Sequence, residues 1–396
     1  MKKSFLNLIL FGLSSASLFF LVLAVYLSDK ALAGRLAVDL ALISLGGTMC
    51  RFGIDWSIIQ KSDRSIRFGL GELTWLIPIA AIAYGLVAGY AAKILDTQFL
   101  TALVALSAGN EVLAAHLRNA GKHQSIYIVR IVAVILGVSS TLFVPILDGN
   151  TLVLVTLSIF TIVAVGFLLV GFVQIPRPER HEGVSIKASW LVERFNTFAY
   201  TNSLLANLVA KCDLILFAAM LPEHTLGDYA IIKQTLGILA FVSASFNYRY
   251  ASDVRRLWQS GEREAFHDSF WLRTREATLL TLLGVVATIA ILTVEAIAFD
   301  FPGIYTPIFI GLLIFYGLHA VASNSGMYLT AMGHVSYQTV RLVGSLALFI
   351  ILSYTVSTIW PNSPFILLTY GFAISVLQIM VFFGVARLLR DSSTTK

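Results

Sequence analysis

The run TLVLVTLSIFTIVAVGFLLVGFVQI, residues 151–175, contains no acidic or basic side chain. Wound as a helix, a run of this length crosses roughly 30 Å, the thickness of a bilayer's hydrocarbon core. An unpaired backbone amide there costs several kcal/mol, so the run is predicted to be α-helical. A barrel strand would alternate apolar and polar residues over about ten positions, and this run does not. Working outward, comparable runs fall at 5–27, 36–54, 73–95, 99–117 and 126–147 before it, and at 199–221, 226–247, 277–298, 304–330, 336–359 and 364–386 after it. The prediction is an all-α polytopic membrane protein with about twelve transmembrane helices.

Composition agrees. Of 396 residues, 57% are hydrophobic and 13% charged, and the mean hydropathy is +0.82. Soluble domains carry about 25% charged residues, so lipid must cover much of this surface. Lys2 and Lys3 precede the first run, and Ala31-Leu32-Ala33 resembles a signal-peptidase site. The run from Phe5 to Leu27 exceeds the roughly 7–15 residues of a signal-peptide core, so it is read as a retained span. Cys50 and Cys212 fall in or at the end of spans, which gives neither a disulfide framework nor a zinc site.

The net charge of +6 is unevenly placed. With the N-terminus inside and alternating sides, Lys30, Arg35 and Lys93 fall outside, Lys211 and Lys233 fall within spans, and the remaining Lys and Arg fall inside. The positive-inside rule accounts for this bias and puts both termini in the cytoplasm. A nucleic-acid-binding patch is the rival explanation of a pI near 9.3, but the charges sit in short loops between spans.

Two polar breaks organise the chain. Residues 176–198 carry Pro176, Pro178 and a mixed-charge run, and divide the spans six and six. The expected layout is an N-terminal lobe at 1–175, a cytoplasmic linker at 176–198 and a C-terminal lobe at 199–396. Residues 248–276 are predicted to hold a cytoplasmic interfacial helix. Asp39-Leu-Ala-Leu-Ile and Asp228-Tyr-Ala-Ile-Ile open the second and eighth spans, an echo consistent with parallel duplication.

Motifs for phosphate-loop, zinc-protease, nucleophile-elbow or dinucleotide chemistry do not occur, and Gly121-Lys122 lacks the upstream glycine, His116 standing there. No cofactor or metal is expected, and the chain does not read as an enzyme. Ionisable residues inside spans cost at least about 2.5–3.5 kcal/mol each and mark function or pairing. The deepest are Glu111, Lys211, Asp213 and Lys233. Lys211 and Asp213 face different ways around one helix, and Asp213 is placed to meet Lys233 across the hairpin. The structural alternative is static pairing with neighbouring helices. Arg51 and Arg341 lie at span ends, where snorkelling is the rival reading. His319 and Asn324 in span ten are read as cavity groups or as satisfied packing groups. Asp39 is read as an outer-interface residue.

Arg51, Lys211, Lys233 and Arg341 would give a cavity a positive field suited to a phosphate or diphosphate. Glu111 and Asp213 would exchange protons or bind a cation, sodium being the alternative to a proton.

Several stretches carry a resemblance. Lys211-Cys-Asp-Leu-Ile-Leu followed by Leu226-Gly-Asp-Tyr-Ala-Ile-Ile-Lys-Gln resembles spans seven and eight of the polysaccharide flippases of the multidrug/oligosaccharidyl-lipid/polysaccharide exporter superfamily. Arg255-Arg256-Leu-Trp-Gln-Ser-Gly-Glu, Tyr328-Leu-Thr-Ala-Met-Gly-His334 and Arg51-Phe-Gly-Ile-Asp55 are similar to further segments of that family, in the same order. The resemblance implies two six-helix lobes around a central cavity. It also implies flipping of a polyprenyl-diphosphate-linked oligosaccharide, an O-antigen or exopolysaccharide unit, across the bacterial inner membrane by alternating access. Partners implied are the lipid-linked oligosaccharide, membrane lipid, a glycan polymerase and a chain-length regulator, with no nucleic acid. The rivals are a cation-coupled multidrug exporter of the same superfamily and a membrane-embedded enzyme of glycan assembly.

Overall fold

A computed structural model describes residues 19–54, 73–92, 97–120, 122–139, 149–173, 194–299, 305–334, 336–361 and 363–394. Every regular element among these is helical: α1 (19–26), α2 (Lys30–Cys50), α3 (Leu73–Ala92), α4 (Thr97–Asn119), α5 (His123–Ser139), α6 (Gly149–Val173), α7 (Arg194–Ala218), α8 (Glu223–Gln259), α9 (Arg263–Phe299), α10 (Tyr305–Ala322), α11 (Ser325–Ala331), α12 (Ser336–Ile359) and α13 (Leu367–Thr394, after a 3₁₀ turn at Pro364–Ile366). Among the described residues each apolar run of the sequence contains helix, and span ten is shared by α10 and α11. Eight stretches of the described residues are long and apolar enough to cross a membrane by length and composition. Residues 176–193 of the expected linker, and the part of the first span before residue 19, lie outside the described residues.

The chain divides into two compact units, Met1–Ala230 and Ile231–Lys396. Within the first unit α7 packs on α2. There α2 is the central helix, packed on α3, α4, α6 and α7, with most of its side chains buried. It starts sharply because the carboxylate of Asp29 accepts the amides of Ala31 and Leu32 at 2.7 and 3.1 Å, an N-cap. This start is earlier than the hydropathy run suggested and moves Asp39 more than two turns into the helix. Asp39, expected at the outer interface, therefore has no exposed surface.

At the same end, the first turns of α8 cross α2 almost backbone to backbone. A Cβ on Gly227 would lie 1.9 Å from the carbonyl oxygen of Lys30, and one on Gly34 would lie 2.6 Å from that of Glu223. Beside this crossing Asp228 accepts the Tyr26 hydroxyl at 2.5 Å and lies 3.7 Å from the Lys30 ammonium.

In the second unit α9 packs on α10 and α13, and α12 on α13. The separate interfacial helix expected at 248–276 does not form. Instead α8 continues to Gln259 and α9 begins at Arg263, joined by a tight turn at Gly261, whose φ is 76°. The physical reason is that this polar stretch carries an apolar inner face. Val254, Phe266 and Phe270 bury against Tyr328 and Leu389, and Arg263 stacks 3.4 Å over the Trp258 ring. The helices simply outrun the bilayer: the 37 residues of α9 span roughly 55 Å.

Replacing Gly227 by Ala is expected to destabilise the first unit by about 1–3 kcal/mol, since backbone rather than a side-chain tip must move. Gly237→Ala, where a Cβ meets nothing within 4 Å, is expected to be neutral or stabilising. Thermal unfolding of the two purified variants checks the contrast, and equal midpoints would refute it.

Candidate functional site

The end of α2 is shaped by Arg51-Phe52-Gly53. Phe52 and Gly53 both have positive φ, 48° and 73°, so the chain turns abruptly after Arg51. A phenylalanine there is strained, and its ring is held against Tyr200 with centroids 6.2 Å apart. The turn leaves the Arg51 side chain inside the first unit, 11% exposed. It does not snorkel to the interface.

Three guanidiniums converge on one carboxylate. Glu111 of α4 lies 2.7 Å from Arg130 of α5, 3.5 Å from Arg118 one heptad along its own helix, and 3.7 Å from Arg51. Arg51 also donates to the Ser203 hydroxyl at 3.1 Å. A pocket of about 320 Å³ opens beside this cluster, lined by Ser44, Thr48, Arg51, Ser107, Glu111 and Asn207, with Gly47 at its wall. Gly47 lets α2 and α4 approach closely, since a Cβ would meet the Ser107 hydroxyl at 2.6 Å and force it to move. Asn207 braces α7 on α2: its amide donates to the Ser44 carbonyl at 2.9 Å and to the Thr48 hydroxyl at 2.6 Å. Positive charge outweighs negative around the pocket, and its other walls are neutral hydrogen-bonding groups. That combination attracts an anion and offers it donors with fixed geometry.

The structure thus brings Arg51 and Glu111 together. Lys211 lies on α7 one turn beyond Asn207, on the same face of the helix. Asp213 is fully buried, and its carboxylate accepts the Tyr229 hydroxyl at 2.5 Å. In the second unit the Lys233 ammonium lies 5.3 Å over the Tyr370 ring. His319 Nδ1 is 3.4 Å from the Ile374 carbonyl, and Asn324 donates to the Thr274 hydroxyl at 2.9 Å. Arg341 is half-buried on α12, and its Nε has no hydrogen-bond partner among the described residues.

Sequence reasoning missed Asn207, Ser44 and Thr48, which look like ordinary small polar residues within apolar runs. It also missed Arg118 and Arg130 as partners of Glu111, although the seven-residue step from Glu111 to Arg118 signals a shared helix face. Glu295, 5% exposed near the end of α9, drew no attention because its run is otherwise apolar.

No protein-family model matches the sequence, and no curated protein matches it. Solved structures do match in fold. One is an inward-facing multidrug resistance MATE family transporter of the MOP superfamily, with a TM-score of 0.65 and 12% identity over 98% of this chain and 96% of that one. Another is the MATE multidrug transporter DinF-BH, solved as a ligand complex, with a TM-score of 0.67 and 13% identity over 96% of this chain and 93% of that one. A third is a MOP superfamily transporter from Pyrococcus furiosus, described as having a binding pocket of reverse polarity that suggests a different function; its TM-score is 0.56 at 12% identity over 98% of this chain and 95% of that one. This chain is a multi-pass membrane protein with the fold of MATE transporters.

Proposed function

We propose that the chain is a secondary transporter of an anionic amphiphile, and that its cargo is a polyprenyl-diphosphate-linked oligosaccharide flipped across the bacterial inner membrane by alternating access. The observation that carries this reading is the convergence of Arg51, Arg118 and Arg130 on the single carboxylate of Glu111 beside a polar pocket. A diphosphate is the anion such a pocket would hold most strongly, through charge-assisted hydrogen bonds from guanidinium groups. Lys211 is proposed to extend the positive field of the first unit, and Lys233 and Arg341 are proposed as anion-binding groups of the second, with both termini in the cytoplasm. Two six-helix lobes divided at 176–198 complete the picture. Transport rather than catalysis is the role that the solved neighbours support, since all three are transporters.

A second reading, cation-coupled multidrug export, is favoured by those same neighbours, two of which are multidrug transporters. The third, with its reversed pocket polarity, indicates that the fold is not tied to one charge of cargo. The two readings separate cleanly. Deletion of the gene is expected to accumulate lipid-linked oligosaccharide on the cytoplasmic leaflet. If it does not, and expression instead protects a drug-hypersensitive host, export of drugs is the function.

Arg51→Ala is expected to lower oligosaccharide export by about tenfold or more while the protein still reaches the membrane, and Arg51→Lys to restore only part of it. Normal export by Arg51→Ala, Lys211→Ala and Lys233→Ala would remove the cationic-pocket mechanism. Glu111→Gln leaves three guanidiniums facing one another. It is expected to cost about 1–3 kcal/mol in stability, between the values for exposed and buried pairs, as read by thermal unfolding.

A further inference from the structure

The pocket beside the arginine cluster has a carboxylate in its wall. Of the side chains that line it, two carry charge, Arg51 and Glu111. Arg118 and Arg130 touch Glu111 but do not line the pocket, so the carboxylate stands between them and the cavity. An entering anion meets one guanidinium and one negative wall.

The pairs that Glu111 makes are unequal. Its Oε1 accepts from Arg130 at 2.7 Å, the length of a full charge-assisted bond. Its Oε2 is shared between Arg118 at 3.5 Å and Arg51 at 3.7 Å, both longer than such a bond. One oxygen is held, and the other lies between two guanidiniums, neither at full bonding distance. The Glu111 side chain is 27% exposed, which leaves it room to turn. Arg51 has less freedom: it precedes the strained Phe52–Gly53 turn and donates to Ser203 of α7.

Elementary chemistry says what can take the place of Oε2. Glu111 is tethered, so it competes for the guanidiniums at a high effective concentration. A monoanion brings no more charge than Glu111 and also loses the freedom it had in solution, so it does not displace the carboxylate. A diphosphate brings more charge and more acceptor oxygens. On displacing Oε2 it meets Arg51 and Arg118 directly, while Glu111 keeps Arg130. The distinction matters in a bilayer. The phosphodiester of an ordinary phospholipid carries a single negative charge, whereas a diphosphate ester carries two or more.

We propose that Glu111 occupies the seat of the cargo's phosphate as an internal anion, that only a group with two or more negative charges displaces it, and that its competition limits how tightly the cargo is held. This rests on the reading of the pocket as the cargo's anion site, and adds how that site rejects phospholipid and lets its cargo go.

The test uses the purified full chain in a maltoside detergent, which carries no phosphate. Inorganic pyrophosphate is the polyanion and dimethyl phosphate the monoanion, and calorimetric titration follows both. The wild type is expected to bind pyrophosphate and not dimethyl phosphate. Glu111→Gln keeps the shape and removes the charge. It is expected to bind pyrophosphate about tenfold or more tightly, and to gain binding of dimethyl phosphate. Glu111→Asp keeps the charge on a shorter arm and is expected to tighten pyrophosphate by about threefold. It keeps the test decisive should Glu111→Gln fold poorly. A carboxylate that merely braces the arginines gives the opposite sign, because its loss lets them scatter and weakens pyrophosphate. Binding that Arg51→Ala abolishes but neither Glu111 variant tightens overturns the internal anion and leaves the anion-site reading standing. No pyrophosphate binding by the wild type or either Glu111 variant overturns both.

Discussion

A polar group inside hydrocarbon has no water to fall back on, and the rest of this structure follows from that constraint. It makes every described element helical, because only the helix satisfies all backbone amides within one segment. It also governs the side chains. Asn207 locks α7 to α2 through the Ser44 carbonyl and the Thr48 hydroxyl. Gln378 takes up the Ala322 carbonyl where span ten breaks between α10 and α11. Each such contact substitutes for water and fixes which helix faces meet.

The same constraint separates structural from functional polar groups. Three guanidiniums surround Glu111, and the resulting excess of positive charge is confined beside a pocket. Tyr26 and Lys30 both pair with Asp228 at the Gly34–Gly227 crossing. On α9 the polar atoms are only partly matched. Its hydroxyls at Thr281 and Thr288 forgo even the back-bond to their own helix that Thr278 and Thr293 make.

Fold and cargo are therefore separate questions here. The MATE-like arrangement carries transporters whose pockets differ in polarity. In this chain the basic cluster around Glu111 lies in the first unit and the long helix α9 in the second.

The sequence by itself determined the all-helical membrane architecture, since membrane crossing depends only on the length and hydropathy of each run, a local property. It also exposed Arg51 and Glu111, because charges in apolar context stand out. What it lost was the partner of each charge. Glu111 meets Arg51 and Arg130 from other helices, and Asp39 is buried because an Asp29 cap starts α2 early. Thr281 and Thr288 were printed in the sequence yet unreadable, since a threonine is ordinary until its hydroxyl is seen without a partner among the described residues. Only tertiary structure decides these matters: lipid tails and neighbouring helices are equally apolar, so hydropathy cannot say which face of a helix turns toward protein.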